Sequence, residues 1–358
     1  MKNKIQEYLL QLNHPELDQK FISEKNIKLI AIEDNKINLS IQLNFPFKSQ
    51  TFLYENIIKD GIKKITDLDI TINWSLKILA RQVQKGINPI KGIKNVIAIA
   101  SGKGGVGKSS TAVNLALALS HEGANVGILD ADIYGPSQPQ MLGIAQKPNS
   151  KDGKSMEPLI AHGIQVMSIG FLVDQETPMV WRGPMVTSTL EQLLKETNWD
   201  NLDYLIIDLP PGTGDIQLTL AQKVPVTGAV IVTTPQDIAL LDARRGLKMF
   251  EKVNIPILGI VENMSTHICS NCSHEEHIFG KDGAIKMCSD YDTELLGSLP
   301  LDIKIREGLD KGNPSIISNP DSDISEIYKS IARKSALKVS ALSEDHSNKF
   351  PKIVIQQS

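Results

Sequence analysis

The amino-acid sequence predicts an α/β protein with a mostly parallel, doubly wound sheet, preceded by a small α+β unit. From Asn95 onward, short and continuous apolar runs alternate with helical stretches, whereas the residues before Asn95 are rich in Lys, Ile and Asn and lack that alternation. Continuous apolar runs are typical of parallel strands buried on both faces. Helices between such strands indicate a doubly wound sheet, and a hydrophobic content of 41% suffices for a sizeable core.

The first unit is predicted to span residues 1–85, followed by a linker at 86–94 that contains Pro89 and Gly92. Two runs of alternating polarity flank the hairpin-turn residues Glu33-Asp34-Asn35. In chain order, the predicted elements are a helix at Lys2–Leu12, strands at Asn26–Ile32 and Lys36–Leu43, a helix at Glu55–Lys64 and a strand at Asp69–Ile72.

The second domain is predicted to span residues 95–334, and the polar, Ser-rich residues 335–358 are predicted to form a flexible tail. Its six apolar runs are Val96–Ala100, Val126–Leu129, Gln165–Ile169, Tyr204–Ile207, Ala229–Thr233 and Ile257–Val261.

Charge and composition narrow the function classes. A formal net charge of -3 argues against a nucleic-acid partner. There is no signal peptide and no apolar span of about 18 residues, so we expect a cytoplasmic protein without a membrane partner. Three cysteines cannot complete a disulfide framework, which leaves metal or redox chemistry for a closely spaced pair.

A glycine-rich loop after the strand Val96–Ala100 matches the pattern G-x-x-x-x-G-K-[ST], and a helix from Ser109 to His121 follows it. Such a loop turns backbone N–H groups toward phosphates, and the helix N-terminus favours anions. We therefore expect ATP here, with Lys108 on the β- and γ-phosphates and Ser109 on Mg²⁺. The predicted nucleotide-binding residues of the loop are Gly102, Lys103, Gly104, Gly105, Val106, Gly107, Lys108, Ser109 and Ser110.

Carboxylates follow two of the predicted strands. Asp130 and Asp132 share one side at a strand's carboxyl end, where open α/β sheets bind ligands. The alternative interpretation of Asp132 is a helix-cap or turn aspartate. Asp208 ends the apolar strand Tyr204–Ile207 and is predicted to hold Mg²⁺ through water. The following segment resembles a switch in which the Gly212 N–H senses the γ-phosphate, while Asp215 is interpreted as a helix cap.

Cys269 and Cys272 have the C-x-x-C spacing that lets two thiolates converge on one soft metal. Two completions of the site remain open. One or two of the nearby histidines at 267, 274 and 277 would complete a zinc site with the two cysteines. Alternatively, two copies of the pair at a dimer axis would supply the four thiolates of a [4Fe–4S] cluster. Cys288 is interpreted as structural.

The additional lysine in the loop, Lys103, resembles the deviant Walker A loop of the MinD/ParA/nitrogenase-iron-protein superclass. The resemblance implies that Lys103 reaches across a homodimer interface to the partner's nucleotide and stabilises the transition state of hydrolysis. It also implies that Asp132 orients the attacking water. In related ATPases an asparagine at the place of Asn263 reads the adenine edge, which an amide can match as donor and acceptor.

A further set of motifs resembles the Mrp/ApbC-type iron–sulfur cluster carriers, over roughly 90–330 and more weakly over the first unit, which is similar to a MIP18-like domain. These carriers bind a cluster between subunits and transfer it to apo-proteins, and ATP hydrolysis controls the transfer. The resemblance therefore implies apo iron–sulfur proteins and cluster scaffold proteins as partners. The sequence departs from the family's Cys-Pro-x-Cys-Gly at Ser270, which replaces the proline, and at Ser273, which replaces the glycine. The motifs are Trp181–Met185, Asp208–Asp215, Val261–Ser265, Cys269–Cys272 and Ile278–Gly280.

Other functions compete with the carrier. A ParA/MinD-like partitioning ATPase would need a basic surface or a terminal amphipathic helix, and the proline-containing end Lys349–Ser358 is a poor membrane helix. A nitrogenase-like reductase would also use a bridging cluster, but for electron transfer. An ATPase with a structural zinc site is the third alternative.

Overall fold

The computed structural model describes residues 1–16, 19–172 and 183–345. Its largest layer is an eight-stranded sheet in the order β13-β10-β9-β4-β8-β5-β7-β6, in which every pairing is parallel except that of β6 with β7. The prediction of a mostly parallel, doubly wound sheet is confirmed. Its carboxyl edge is where the loop after β4 and the carboxylates after β5 and β8 converge.

The described helices and strands have the following bounds. The strands are β1 Ile27–Glu33, β2 Lys36–Leu43, β3 Asp69–Leu76, β4 Ile93–Ala100, β5 Val126–Asp130, β6 Leu159–Ala161, β7 Ile164–Ser168, β8 Leu202–Asp208, β9 Gly228–Thr233, β10 Ile257–Glu262, β11 His267–Ile268, β12 Glu275–Glu276 and β13 Leu295–Ser298. The α-helices are α1 Lys2–Gln11, α2 Thr51–Lys63, α3 Lys108–His121, α4 Gln138–Met141, α5 Gly183–Glu196, α6 Asp215–Lys223, α7 Asp237–Lys252, α8 Gly283–Asp290, α9 Ile303–Asp310, α10 Ser315–Ser318 and α11 Asp323–Ala341.

The N-terminal unit contains a three-stranded sheet in which β1 pairs with β2 antiparallel and β2 pairs with β3 parallel. Asp34 and Asn35 form the turn between β1 and β2 with φ of 47° and 62°, which the short polar side chains of Asp and Asn tolerate. Helix α2 begins four residues before its predicted start, and β3 extends four residues beyond its predicted end. Local patterns locate elements better than their ends, where tertiary packing decides.

The predicted start of the tail at residue 335 is wrong, because helix α11 continues to Ala341. Ala336, Leu337 and Val339 are buried in the core. Ser335 made this stretch look polar, but its hydroxyl donates to the carbonyl of Ile331 at 2.7 Å and so needs no water. Residues 346–358 of the predicted tail lie outside the described part. The predicted linker, residues 86–94, is also too long at its C-terminal end, because strand β4 already begins at Ile93.

A buried ion-pair network joins the N-terminal unit to the second domain. Arg333 on α11 is fully buried and donates to Glu122 (Nη1–Oε1, 2.8 Å) and to Glu326 (Nη2–Oε1, 2.7 Å). The same guanidinium donates to Glu16 (Nε–Oε2, 2.9 Å) and to the Ser49 hydroxyl (3.1 Å) in the N-terminal unit. One arginine therefore compensates the fully buried Glu122 and holds both parts of the chain.

We expect Arg333→Ala to lower the free energy of unfolding by about 3–5 kcal/mol, because it leaves the Glu122 carboxylate buried without a cation. Urea denaturation followed by circular dichroism measures the change. The matched control is Arg306→Ala, which removes the exposed Arg306–Asp310 pair and should cost less than about 1 kcal/mol. Equal losses in the two variants would contradict the assignment of this network as a stabilising contact.

Candidate nucleotide and cluster site

The glycine-rich loop connects β4 to α3 at the carboxyl edge of the sheet. Gly105 and Gly107 have φ of 80° and 81°, a backbone conformation that favours glycine. Within the described residues, the backbone N–H groups of 104–109 have no protein acceptor. Unpaired N–H groups at the start of a helix form a cradle for anionic oxygens. The loop therefore fits the phosphates of a nucleotide.

Asn263 lies directly against this loop, just after β10. Its Nδ2 donates to the carbonyl of Val106 at 2.9 Å, and its Oδ1 accepts the N–H of Met264 at 2.9 Å. A Cβ on Gly107 would lie 2.0 Å from that Nδ2, so glycine is required by space as well as by φ. Asn263 thus supports the shape of the loop, and its contact with adenine stays a prediction.

Lys108 is buried at the centre of the site. Its Nζ contacts the Asp208 carboxylate, lies 3.2 Å from the Ser109 hydroxyl and lies 3.9 Å from Asp132 Oδ2. The Asp208 side chain is completely buried at the end of β8. Hydroxyl and carboxylate oxygens are the donors that Mg²⁺ prefers, so Ser109 and Asp208 together fit that cation.

Asp130 and Asp132 have different surroundings, although they follow the same strand. Asp130 accepts the N–H groups of Ser137 (3.0 Å) and Gln138 (3.1 Å), the hydroxyl of Ser168 (3.0 Å) and the N–H of Asp132 (3.2 Å). Burial, together with the nearby Asp208 carboxylate, raises the pKa of Asp130 to about 7. Asp130 therefore holds the segment after β5, whereas Asp132 faces Lys108.

Burial also raises the pKa of Asp132, and the neighbouring Lys108 ammonium opposes that shift. A carboxylate of raised pKa beside the phosphate loop is suited to accept a proton or a hydrogen bond from water. The role that the sequence resemblance implies for Asp132 stays a prediction.

Two other predicted site residues, Lys103 and Gly212, contact protein groups outside the phosphate cradle. The Lys103 Nζ lies 3.5 Å from Oε1 of Gln236, just before α7, rather than on the phosphate cradle of its own loop. The Gly212 N–H donates to the carbonyl of Ser101 at 2.9 Å. Gly212 has φ of 104°, a backbone conformation that favours glycine, and its contact with the γ-phosphate stays a prediction.

Cys269 and Cys272 lie in the turn between the two short strands β11 and β12. The turn is closed by the N–H of Cys269 on the carbonyl of His274 and by the N–H of Ser273 on the carbonyl of Cys269, both at 2.9 Å. N–H groups of Asn271 and Cys272, followed by the Cys272 thiol, lower the pKa of Cys269. Cys272 is exposed and Cys269 partly so. The pair thus lies at the surface, and its hydrogen bonds favour the thiolate form of Cys269.

The histidines near this turn are not gathered around the two sulfurs. His267 contacts the carbonyl of Leu301 through Nδ1 at 3.1 Å, and His277 contacts that of Ser265 at 2.9 Å. Among the described residues, no group of three or more Cys, His, Asp or Glu side chains could hold a metal ion. Cys288 is buried on α8, where burial raises its pKa to about 11, as suits a structural thiol.

One buried residue at the nucleotide site escaped the sequence motifs. Gln138, at the start of α4, donates from Nε2 to Asp208 Oδ2 at 2.9 Å and to the carbonyl of Ser109 at 3.1 Å. The only sequence signal for it is its place in the segment after Asp130-Ala131-Asp132. Trp181 and Arg182, part of the resemblance, lie outside the described residues. No helix in the described ranges is both long and apolar enough to cross a membrane.

Comparison with known proteins gives close relatives. The chain is 51% identical over 336 residues to the "iron-sulfur cluster carrier protein" of Haemophilus influenzae, covering 93% of this chain and 90% of that protein. It is 53% identical over 333 residues to the protein of the same name from Escherichia coli K12, covering 92% and 89%. It is 52% identical over 258 residues to mouse "iron-sulfur cluster transfer protein NUBPL", covering 72% and 81%.

Solved structures show the same fold. A nucleotide-binding protein from Archaeoglobus fulgidus, in complex with ADP, matches with a TM-score of 0.58 and 37% identity, covering 66% of this chain and 93% of that one. The cell division ATPase MinD of Pyrococcus furiosus matches with a TM-score of 0.50 over 67% of this chain and 97% of its own. At 22% identity, that second likeness shows the fold alone.

The second domain also matches a family model. The model is described as ParA, NUBPL iron-transfer P-loop NTPase, and it matches residues 92–336. That range includes the phosphate loop, the Asp130–Gln138 segment, Asp208 and the cysteine pair. The chain belongs to the NUBPL iron-transfer branch of the ParA-type P-loop NTPases, a family of nucleotide hydrolases.

Proposed function

We propose that this protein is an ATP-dependent iron–sulfur cluster carrier, which binds a [4Fe–4S] cluster between two copies of the chain and transfers it to apo-proteins. The observation that carries the proposal is the Cys269–Cys272 pair at the surface of a short hairpin. Cys272 is exposed, Cys269 is partly exposed, and hydrogen bonds lower the pKa of the Cys269 thiol. The names of its relatives, cluster carrier and cluster transfer proteins, support the same cargo.

The ligand count favours a dimer. A [4Fe–4S] cluster takes four thiolates, and one chain presents two at this turn. A two-fold axis beside the turn supplies the other two, because it brings identical surfaces together. Ile268 and Ile278 flank the turn and are 56% and 53% exposed, so apolar surface is available beside the cysteines for a second subunit.

We also propose a role for each residue at the nucleotide site. In the proposal, Lys108 binds the β- and γ-phosphates, Ser109 and Asp208 hold Mg²⁺, and Asp132 orients the attacking water. The cation, when bound, neutralises charge on the phosphates. The Gly212 N–H senses the γ-phosphate and Asn263 contacts adenine. Hydrolysis thereby controls when the cluster is released.

Lys103 is proposed to act on the nucleotide of the partner subunit. We expect Lys103→Ala to reduce ATP hydrolysis at least about 100-fold, as loss of a transition-state donor does, while nucleotide binding is largely kept. Phosphate release and equilibrium binding of ATP measure the two effects. Unchanged turnover would contradict the role.

Mixing inactive subunits tests whether the lysine acts across the interface. Lys103→Ala and Asp132→Ala chains, each inactive alone, can form a mixed dimer with one complete site. Random pairing should restore about a quarter of the wild-type rate. If Lys103 acts within its own chain, mixing restores nothing.

The experiment that tests the proposed function is anaerobic cluster transfer to an apo-enzyme whose activity needs a [4Fe–4S] cluster. Reconstituted wild-type protein should activate the recipient, and should do so faster or more completely with Mg-ATP than without nucleotide. If the protein is instead colourless, binds stoichiometric zinc and activates no apo-enzyme, the carrier function is contradicted. An ATPase with a structural zinc site would then be the better interpretation.

The partitioning alternative has less support. The likeness to MinD shows the fold alone, whereas the relatives that share 51% and 53% of their aligned residues with this chain are named iron–sulfur cluster carriers. We therefore propose neither DNA nor membrane as a partner. We also propose that the protein acts in the cytoplasm. ATP-dependent sedimentation with DNA or liposomes would reverse this view.

A further inference from the structure

Gln138 connects three parts of the nucleotide site. Its side-chain Nε2 donates to Asp208 at the end of β8 (2.9 Å) and to the carbonyl of Ser109 at the start of α3 (3.1 Å). Its backbone N–H donates to Asp130 after β5 (3.1 Å). Gln138 is fully buried, so these contacts form without competition from bulk water.

The orientation of the Gln138 amide follows from its partners. The Asp208 carboxylate and the Ser109 carbonyl oxygen are both acceptors, so the NH₂ group of the amide must face them. The other end, Oε1, is then left buried without a hydrogen-bond partner among the described residues. A buried acceptor without a partner costs free energy, and such groups commonly serve an ordered water or an ion.

The two oxygens of Asp208 are divided between two neighbours. Oδ1 contacts the Lys108 ammonium, and Oδ2 accepts from Gln138. When Lys108 turns to phosphate, as proposed above, Oδ1 becomes free for the cation or its water while Gln138 still holds Oδ2. Asp208 then keeps its orientation through the exchange.

We propose that Gln138 is a positioning residue for the Mg²⁺ site: it orients Asp208 through Nε2 and offers Oε1 to a water of the cation's hydration shell. The inference deepens the proposed ATPase function and rests on it. Mg²⁺ keeps much of its hydration shell in proteins, and residues that orient metal ligands commonly change metal affinity 10- to 100-fold when lost.

The test compares wild type with Gln138→Leu and measures binding of fluorescent ADP, first in EDTA and then across a Mg²⁺ titration. We expect the leucine variant to bind ADP in EDTA within about threefold of wild type and to need about 10- to 100-fold more Mg²⁺ for half-saturation. Gln165→Leu is the matched control, because it removes two glutamine hydrogen bonds with the Asp200 backbone, away from the nucleotide site, and should change neither value.

A second variant, Gln138→Glu, keeps an acceptor oxygen but replaces the Nε2 donor with a second carboxylate oxygen against Asp208. We expect its melting temperature to be lowered in EDTA and restored by Mg-ADP, because a cation held at this site neutralises the two adjacent carboxylates. The proposal is overturned if Gln138→Leu keeps the wild-type Mg²⁺ requirement, if its binding in EDTA falls by the same factor, or if Mg-ADP does not raise the melting temperature of the glutamate variant.

This readout separates the inference from the proposed function. Binding of Mg-ADP involves no turnover. A wild type that binds Mg-ADP but does not hydrolyse ATP would therefore contradict the ATPase function alone, while the Mg²⁺ titration would still decide the role of Gln138.

Discussion

Lys108→Ala is expected to abolish ATP hydrolysis, with a loss of at least about 100-fold in phosphate release. Lys108 is the one cation seen against both Asp132 and Asp208 in the described residues, and it lies beside the Ser109 hydroxyl. Without it the phosphate cradle loses a charge-assisted donor, so ATP affinity should also fall about 10- to 100-fold. Steady-state phosphate release and equilibrium ATP binding check the two effects.

Folding must be measured alongside activity, because the variant leaves Asp208 and Asp130 buried without a nearby ammonium. We expect a lower melting temperature with an unchanged far-ultraviolet spectrum. Lys147→Ala, which removes an exposed lysine, is the control and should keep full activity and stability. Hydrolysis within about threefold of wild type in Lys108→Ala would contradict the assignment of this loop as the catalytic phosphate site.

Cys272→Ala is expected to remove cluster binding altogether. Two chains supply four thiolates in the proposal, and the substitution removes two of them from each dimer. After anaerobic reconstitution with iron and sulfide, wild type should show the broad visible absorption of a cluster and the variant should be colourless. Iron and acid-labile sulfide should fall together to background.

The chain offers a matched control in Cys288→Ala. Cys288 is buried on α8, and its pKa is raised by that burial, so it should not compete for iron. This variant should bind as much iron and sulfide as wild type. Cluster retained in Cys272→Ala, or lost equally in Cys288→Ala, would show that the pair at 269 and 272 is not the cluster site.

ATP hydrolysis by Cys272→Ala shows whether nucleotide turnover depends on a bound cluster. The cysteine turn lies outside the phosphate cradle, so we expect the variant to hydrolyse ATP while failing to activate an apo-enzyme. Lys108→Ala should do the reverse, loading a cluster but transferring it no faster with ATP. If both variants lose both activities, cluster and nucleotide depend on one another for assembly of the dimer.

Sequence was sufficient wherever the chemistry depends on consecutive residues. The loop from Gly102 to Ser109 requires glycine at positive φ and a lysine at one spacing, so its pattern is specific. The C-x-x-C pair is equally local. Continuous apolar runs predicted the central strands correctly, because a parallel strand buried on both faces tolerates few polar residues.

Contacts between distant parts of the chain were decided only by the tertiary structure. Arg333 is buried against Glu122 and Glu16, more than 200 residues away. Helix α11 continues past the predicted start of the tail because Ala336, Leu337 and Val339 are buried in the core. Gln138 carries no motif; it matters because the sheet order places β5 beside β8, and so the segment after β5 beside Asp208. Local residues thus determined which chemistry this protein contains, and strand order determined which side chains perform it together, because hydrogen-bond partners are set by proximity in space rather than by spacing in sequence.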